Sequence, residues 1–135
     1  MTKKQISNTL YALAFIAIGV YFAYSKGWIG SSVVSLSPME VSKLLENDTN
    51  VTLLDVRTPQ EFASEHIEGA TLIPVSDLEQ NLDKLQDAKN KKILVYCRSG
   101  SRSVTASRIL LEHGFSPINM SGGINQWKSE NLPLK

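Results

Sequence analysis

Two kinds of hydrophobic patterning follow one another along the chain. Residues 10–24 read LYALAFIAIGVYFAY with no charge at any position, so a helix built from them is apolar on every face and lacks a polar stripe. Beyond residue 33 the pattern breaks into short β-rich runs at 33–36, 51–56, 71–73, 92–96 and 118–120, separated by amphipathic segments. That alternation predicts a parallel sheet with crossover helices packed on it. LLDV and ILVY, within the second and fourth runs, are apolar enough for central strands buried on both faces.

Helix starts are written between the strands. Ser37-Pro38-Met39-Glu40 supplies a capping residue, a first-turn proline and a glutamate three residues on, and Ser76-Asp77-Leu78-Glu79 repeats the capping-box pattern. Pro59 begins a third helix through Glu61 and Phe62. A fourth spans 103–113 with Val104, Ala106, Ile109 and Leu110 inward and Gly114 as its stop.

The first thirty residues read as a membrane segment. The uncharged core spans about 22 Å as a helix, and residues 6–28 span about 34 Å with Lys26 snorkelling. Tyr11 near one end and Tyr21, Tyr24 and Trp28 near the other suit interfacial belts. The resulting division is a short basic N-terminus at 1–9, a transmembrane anchor or signal segment at 10–29, a tether at 30–32 and one domain at 33–135. For an uncleaved anchor, Lys3 and Lys4 put the N-terminus in the cytoplasm and the domain on the outer, periplasmic side of the inner membrane. The alternative is a signal peptide whose cleavage releases the domain, for which the exit sequence offers only pairs such as Ala23/Ser25.

Composition narrows the functional classes. Among 135 residues the charge is +1, with 42% hydrophobic and 20% charged positions, which gives no electrostatic reason for a nucleic-acid partner. The single cysteine, Cys97, has no partner for an internal disulfide. With one cysteine and His66 and His113 in no ligand-like spacing, neither a metal nor another cofactor is expected.

The chemistry gathers where the fourth strand ends. Residues 92–103 read KILVYCRSGSRS: a strand, Cys97, a tight loop containing Gly100, then a helix. Such a loop turns its backbone N–H groups inward and forms an anion cradle at the helix N-terminus. Arg98 and Arg102 flank the thiol and favour its thiolate form. Ser99, Ser101 and Ser103 offer hydroxyl donors to a bound anion or a persulfide. An inert buried cysteine is the plain alternative, but it would need no such surroundings.

Four motifs now carry a resemblance. LLDVRTPQEFASEHIEGATLIP at 53–74, YCRSGSRS at 96–103, HGF at 113–115 and GGINQW at 122–127 follow, in order, the signatures of single-domain rhodaneses, and 33–135 as a whole resembles that family. The resemblance implies a three-layer α/β/α domain with a five-stranded parallel sheet, preceded here by the N-terminal hydrophobic helix. It implies a thiosulfate sulfurtransferase in which Cys97 takes a sulfane sulfur from a small anionic donor and passes it to cyanide or a thiol. A membrane-anchored persulfide relay or binding module, serving a protein partner and slow with small donors, is the alternative. Related phosphatases carry a seven-residue loop; the six residues from Cys97 to Arg102 match the sulfur-transferring form.

By the same resemblance Asp55 helps fix the active-site loop, while Arg57, Glu61 and His66 act as scaffold around it. Trp127 is core, and Gly122 and Gly123 form a tight turn beside the loop. The family commonly has glycine where this chain has Glu65, which raises the expectation of backbone strain at that position.

Overall fold

The computed structural model describes residues 2–25 and 33–135, in two units divided at residue 32. The tether at 30–32, together with Lys26 and Trp28, lies outside the described residues. In the first unit, helix α1 runs Lys3–Ser25. It starts seven residues before the expected segment because Thr2 and Gln5 cap it reciprocally: the Gln5 amide donates to Thr2 Oγ1 at 3.3 Å and the Thr2 amide to Gln5 Oε1 at 3.0 Å. Lys3–Ala23 has a mean hydropathy of 1.7, long and apolar enough to cross a membrane. An anchor and a signal sequence share that property.

In the second unit the five expected strands form one parallel sheet: β1 (Val34–Leu36), β2 (Val51–Asp55), β3 (Thr71–Leu72), β4 (Lys92–Tyr96) and β5 (Ser116–Met120), in spatial order β1-β5-β4-β2-β3. The four helices of this unit are α2 (Pro38–Asn47), α3 (Pro59–Ser64), α4 (Ser101–Glu112) and α5 (Gly123–Ser129). Strand periodicity assigns the two faces. Ile93, Val95 and Cys97 pack with Ala106 and Leu110 of α4 and with Leu78, Leu85 and Ala88, whereas Leu94 and Tyr96 pack with Val41 of α2 and Ile124 and Trp127 of α5. The alternation that makes β4 a central strand therefore delivers Cys97 to the α4 face.

Local chemistry explains where the helices begin. Ser37 accepts the Glu40 amide at 3.2 Å and Pro38 occupies the first turn of α2. A reciprocal capping box on Thr58 starts α3: its hydroxyl accepts the Glu61 amide at 3.2 Å while Glu61 Oε1 accepts the Thr58 amide at 3.3 Å. The expected cap at Ser76 does not form. Pro74 opens a 3-10 turn at Val75–Asp77, so Ser76 lies inside the turn instead of flanking it, and 3-10 geometry continues over Glu79–Ala88 with a break at Asn81. Helix α4 begins at Ser101, two residues earlier than expected, and α5 occupies a stretch where the sequence suggested only a turn.

The polarity of the sheet positions the site. After β2 the chain leads to β3 on one side, and after β4 it leads through α4 to β5 on the other. The C-terminal ends of β2 and β4 are neighbours, with Asp55 opposite Tyr96, and they flank the crevice where open α/β sheets bind ligands.

Candidate active site

Cys97 follows directly on β4 and is fully buried. The loop after it is closed by Gly100, whose φ of 108° lies in the left-handed region and caps α4. This turn aims the Gly100 amide at Cys97 Sγ, 3.1 Å away, while the thiol donates to Ser103 Oγ at 3.4 Å. The other side of the loop rests on α5. The Ile124 amide donates to the Cys97 carbonyl at 2.9 Å and the Asn125 amide to the Arg98 carbonyl at 3.1 Å. A Cβ on Gly123 would lie 2.5 Å from both carbonyl oxygens, so only glycine permits this approach.

Burial alone would raise the Cys97 pKa. Hydrogen bonds that the thiolate accepts from the Ser103 hydroxyl and from the amides of Ser103, Gly100 and Ser99 outweigh it and hold the thiol below its ordinary value. These donors belong to the loop and helix N-terminus expected to favour the thiolate together with the two arginines. Arg102 instead makes a bidentate pair with Glu61 of α3, 2.8 Å to Oε1 and 3.0 Å to Oε2. That pair holds Glu61 down at about 2, and Arg102 is pushed up by Glu61, with the Cys97 sulfur adding to the effect. Arg98 is exposed and has no ion pair among the described residues. Ser99 and Ser101 are also exposed, which leaves Ser103 as the loop hydroxyl bonded to the sulfur.

Asp55 and Arg57 are buried together. Asp55 Oδ1 accepts the Arg57 backbone amide at 2.9 Å and Nε at 3.0 Å; Oδ2 accepts Nε at 3.0 Å and Nη2 at 2.7 Å. Burial would lower the Arg57 pKa, but Asp55 outweighs it and raises it. Arg57 Nη2 also donates to the Glu65 carbonyl at 2.7 Å. Asp55 thus organises the loop after β2, and it reaches the Cys97 loop at one remove, through α3 and the Glu61–Arg102 pair. His66 stacks on Phe62 with centroids 3.8 Å apart and shares a 2.9 Å hydrogen bond with the Phe62 carbonyl, in keeping with a scaffold.

Glu65 overturns the expectation of strain. Its φ of −165° is ordinary extended backbone, and its side chain pairs with Lys128 of α5 at 2.5 Å. The two line a cavity of about 210 Å³ with Arg57, Glu61, Ser64, Arg98, Ile124 and Asn125. Among the described residues no cluster of three or more His, Cys, Asp or Glu side chains could hold a metal.

Sequence reasoning missed Asn119. It lies on β5, 4% exposed, and its Oδ1 accepts the Ser103 hydroxyl at 2.5 Å. The available signal was a polar residue between the apolar Ile118 and Met120.

Fold and site together define a three-layer α/β domain with a single thiol cradled at the switch point of a parallel sheet. Residues 37–130 match the model of the rhodanese-like domain, and the chain belongs to that family. An Allochromatium vinosum protein named sulfurtransferase is 33% identical over 95 residues, covering 70% of this chain and 87% of that one. An uncharacterized protein of Synechocystis sp. is 38% identical over 101 residues, and the match spans 55% of its length. The crystal structure of a rhodanese-related protein from Thermoplasma volcanium superposes with a TM-score of 0.69 at 29% identity, covering 76% of this chain and 97% of the other.

Proposed function

We propose that the domain is a thiosulfate sulfurtransferase working through a persulfide on Cys97. The observation that carries this reading is the sulfur's surroundings: a buried thiol of lowered pKa, met by the Gly100 amide and the Ser103 hydroxyl at the N-terminus of α4. Those donors suit an anionic sulfur, and family membership supplies the chemistry.

In the first half-reaction Cys97 thiolate attacks the outer sulfur of thiosulfate or a similar donor. The new S–S bond forms as the bond to the leaving sulfite breaks, and sulfite carries away the electron pair. Arg102, held in place by Glu61, directs its remaining N–H groups to the donor's oxygens, and Arg98 raises the potential at the mouth. The inward amides of the Cys97–Ser103 loop then compensate the persulfide's charge, so neither metal nor organic cofactor is needed. A thiol or cyanide attacks the terminal sulfur and returns Cys97 to thiolate. Two half-reactions on one nucleophile give ping-pong kinetics.

Helix α1 would hold this domain at the inner membrane, N-terminus inside and catalytic domain on the outer side; its Lys3 and Lys4 and its apolar span support that topology. Transfer from thiosulfate to cyanide tests the activity. Cys97→Ala should abolish turnover, and retained turnover would refute the assignment. Little wild-type turnover with small donors, alongside ready sulfur uptake from a protein persulfide, would mark the domain as a relay.

A further inference from the structure

The Ser103 hydroxyl has one proton and three groups that can accept it: Asn119 Oδ1, the Gly100 carbonyl and, once it is a thiolate, the sulfur. It donates to Asn119 Oδ1 at 2.5 Å, and it lies 3.4 Å from Cys97 Sγ, from which it accepts the thiol proton. Its third neighbour, the Gly100 carbonyl at 3.1 Å, can only accept. On the far side Asn119 Nδ2 donates to Ser35 Oγ of β1 at 3.3 Å. Cys97 and Ser103 are fully buried and Asn119 nearly so, whereas Ser35 is exposed. One chain of hydrogen bonds therefore runs from the sulfur through α4, β5 and β1 to solvent.

We propose that Ser35, Asn119 and Ser103 form a reversible hydrogen-bond relay that serves Cys97 in both its neutral and its anionic forms, with Asn119 as a positioning residue. The proposal rests on Cys97 being the reacting thiol and adds how its charge is accommodated. While Cys97 is a thiol, every bond runs outward: sulfur to Ser103, Ser103 to Asn119, Asn119 to Ser35. When Cys97 becomes a thiolate it can no longer donate, and a hydroxyl still committed to Asn119 would leave the anion one donor short. Turning the Asn119 amide over resolves this. Its NH2 then donates to Ser103, Ser103 donates to the sulfur, and the Ser35 hydroxyl donates to the Asn119 oxygen.

The two ends of a primary amide are nearly the same shape, and a hydroxyl both donates and accepts, so the reversal needs no repacking. No proton is transferred along the chain; three groups reorient, each keeps its neighbours within the relay, and the Ser103 hydroxyl turns away from the Gly100 carbonyl. An aspartate or a leucine at 119 could not do this, because one offers no donor and the other no polar atom. A polar side chain in a central strand, where an apolar one would pack more simply, is thereby accounted for.

Other charges near the sulfur come from Arg98 and Arg102 on the loop, Glu61 of α3 bound to Arg102, and Asp55 with Arg57 at the end of β2. Asn119 of β5 and Ile124 and Asn125 of α5 are uncharged. The charged groups stay in place when Ser103 is varied, so the relay can be read separately from them.

The experiment uses the full chain in detergent micelles and the pH dependence of Cys97 alkylation by iodoacetamide, which is unambiguous with one cysteine. Ser103→Ala should raise the midpoint by about one pH unit, and Ser103→Thr should restore it. A midpoint in Ser103→Ala within about 0.3 units of wild type, or no rescue by threonine, would overturn the proposal. The wild-type protein gives a second readout that needs no folded variant. The Asn119 side-chain amide signals in a nitrogen–proton NMR spectrum should shift with pH at the alkylation midpoint, and signals that ignore that titration would overturn the relay. Both readouts concern the thiol itself, so failure of sulfur transfer is scored separately by the thiosulfate assay.

Discussion

Removing the carboxylate of Asp55 should destabilise the domain more than any change at the loop surface. Asp55 is fully buried and Arg57 is 3% exposed. Three of the four hydrogen bonds between them involve the guanidinium. In Asp55→Ala the charged group keeps only the Glu65 carbonyl and the face of Tyr96, 5.6 Å from the ring centre. Stranding one partner of a buried ion pair costs about 3–5 kcal/mol, a large share of the roughly 5–15 kcal/mol that holds a domain together. At about 4 °C per kcal/mol for a domain of this size, Tm should fall by roughly 12–20 °C. Near-ultraviolet circular dichroism during thermal and urea unfolding would measure it. Because the penalty comes from the orphaned guanidinium, adding Arg57→Met to Asp55→Ala should recover much of the loss. A loss below about 1 kcal/mol in the single variant, or a double variant no more stable than the single, would refute this account of the pair.

Two further perturbations probe the loop from either side. Gly123→Ala places a methyl group against the carbonyls of Cys97 and Arg98, whereas Gly69→Ala, also at positive φ, meets nothing within 4 Å. Gly123→Ala should therefore slow Cys97 alkylation at least tenfold, and Gly69→Ala should leave the rate unchanged while costing about 1–2 kcal/mol of stability; equal rates in the two would contradict the close approach. Glu61, held at about 2 against an ordinary 4.5, contributes stability that is complete above pH 4.5 and is lost as pH falls towards 2. The Tm difference between wild type and Glu61→Gln should shrink over that interval, and a difference as large at pH 2 as at pH 6 would refute it.

Much of this architecture was legible in the chain because it depends on local pattern. The five runs became five strands, since β-rich stretches between helix signals have few other ways to bury themselves. The position of Cys97 followed from the period of β4. What escaped was non-local. Glu61 and Arg102 were each noticed, but their pairing depends on α3 and α4 meeting across the end of the sheet. Asn119 carried no motif; its meaning comes from a Ser103 sixteen residues before it and a Ser35 eighty-four residues before it, with three strands between them in the chain. The Ser76 box misled because Pro74 had already set the turn, and α5 was hidden by the paired glycines that open it. Glu65 suggested strain only under the assumption that its backbone needed glycine, and its extended conformation removes that need.

The central claim is that Cys97 carries sulfur as a covalent intermediate. Intact-mass spectrometry of the full chain after thiosulfate, without an acceptor and without reductant, tests it most directly. The account predicts a gain equal to one sulfur atom, mapped by peptide analysis to Cys97, lost on adding cyanide and absent from Cys97→Ala. Thiosulfate turnover with no sulfur adduct on Cys97, or an adduct that cyanide does not remove, would contradict it.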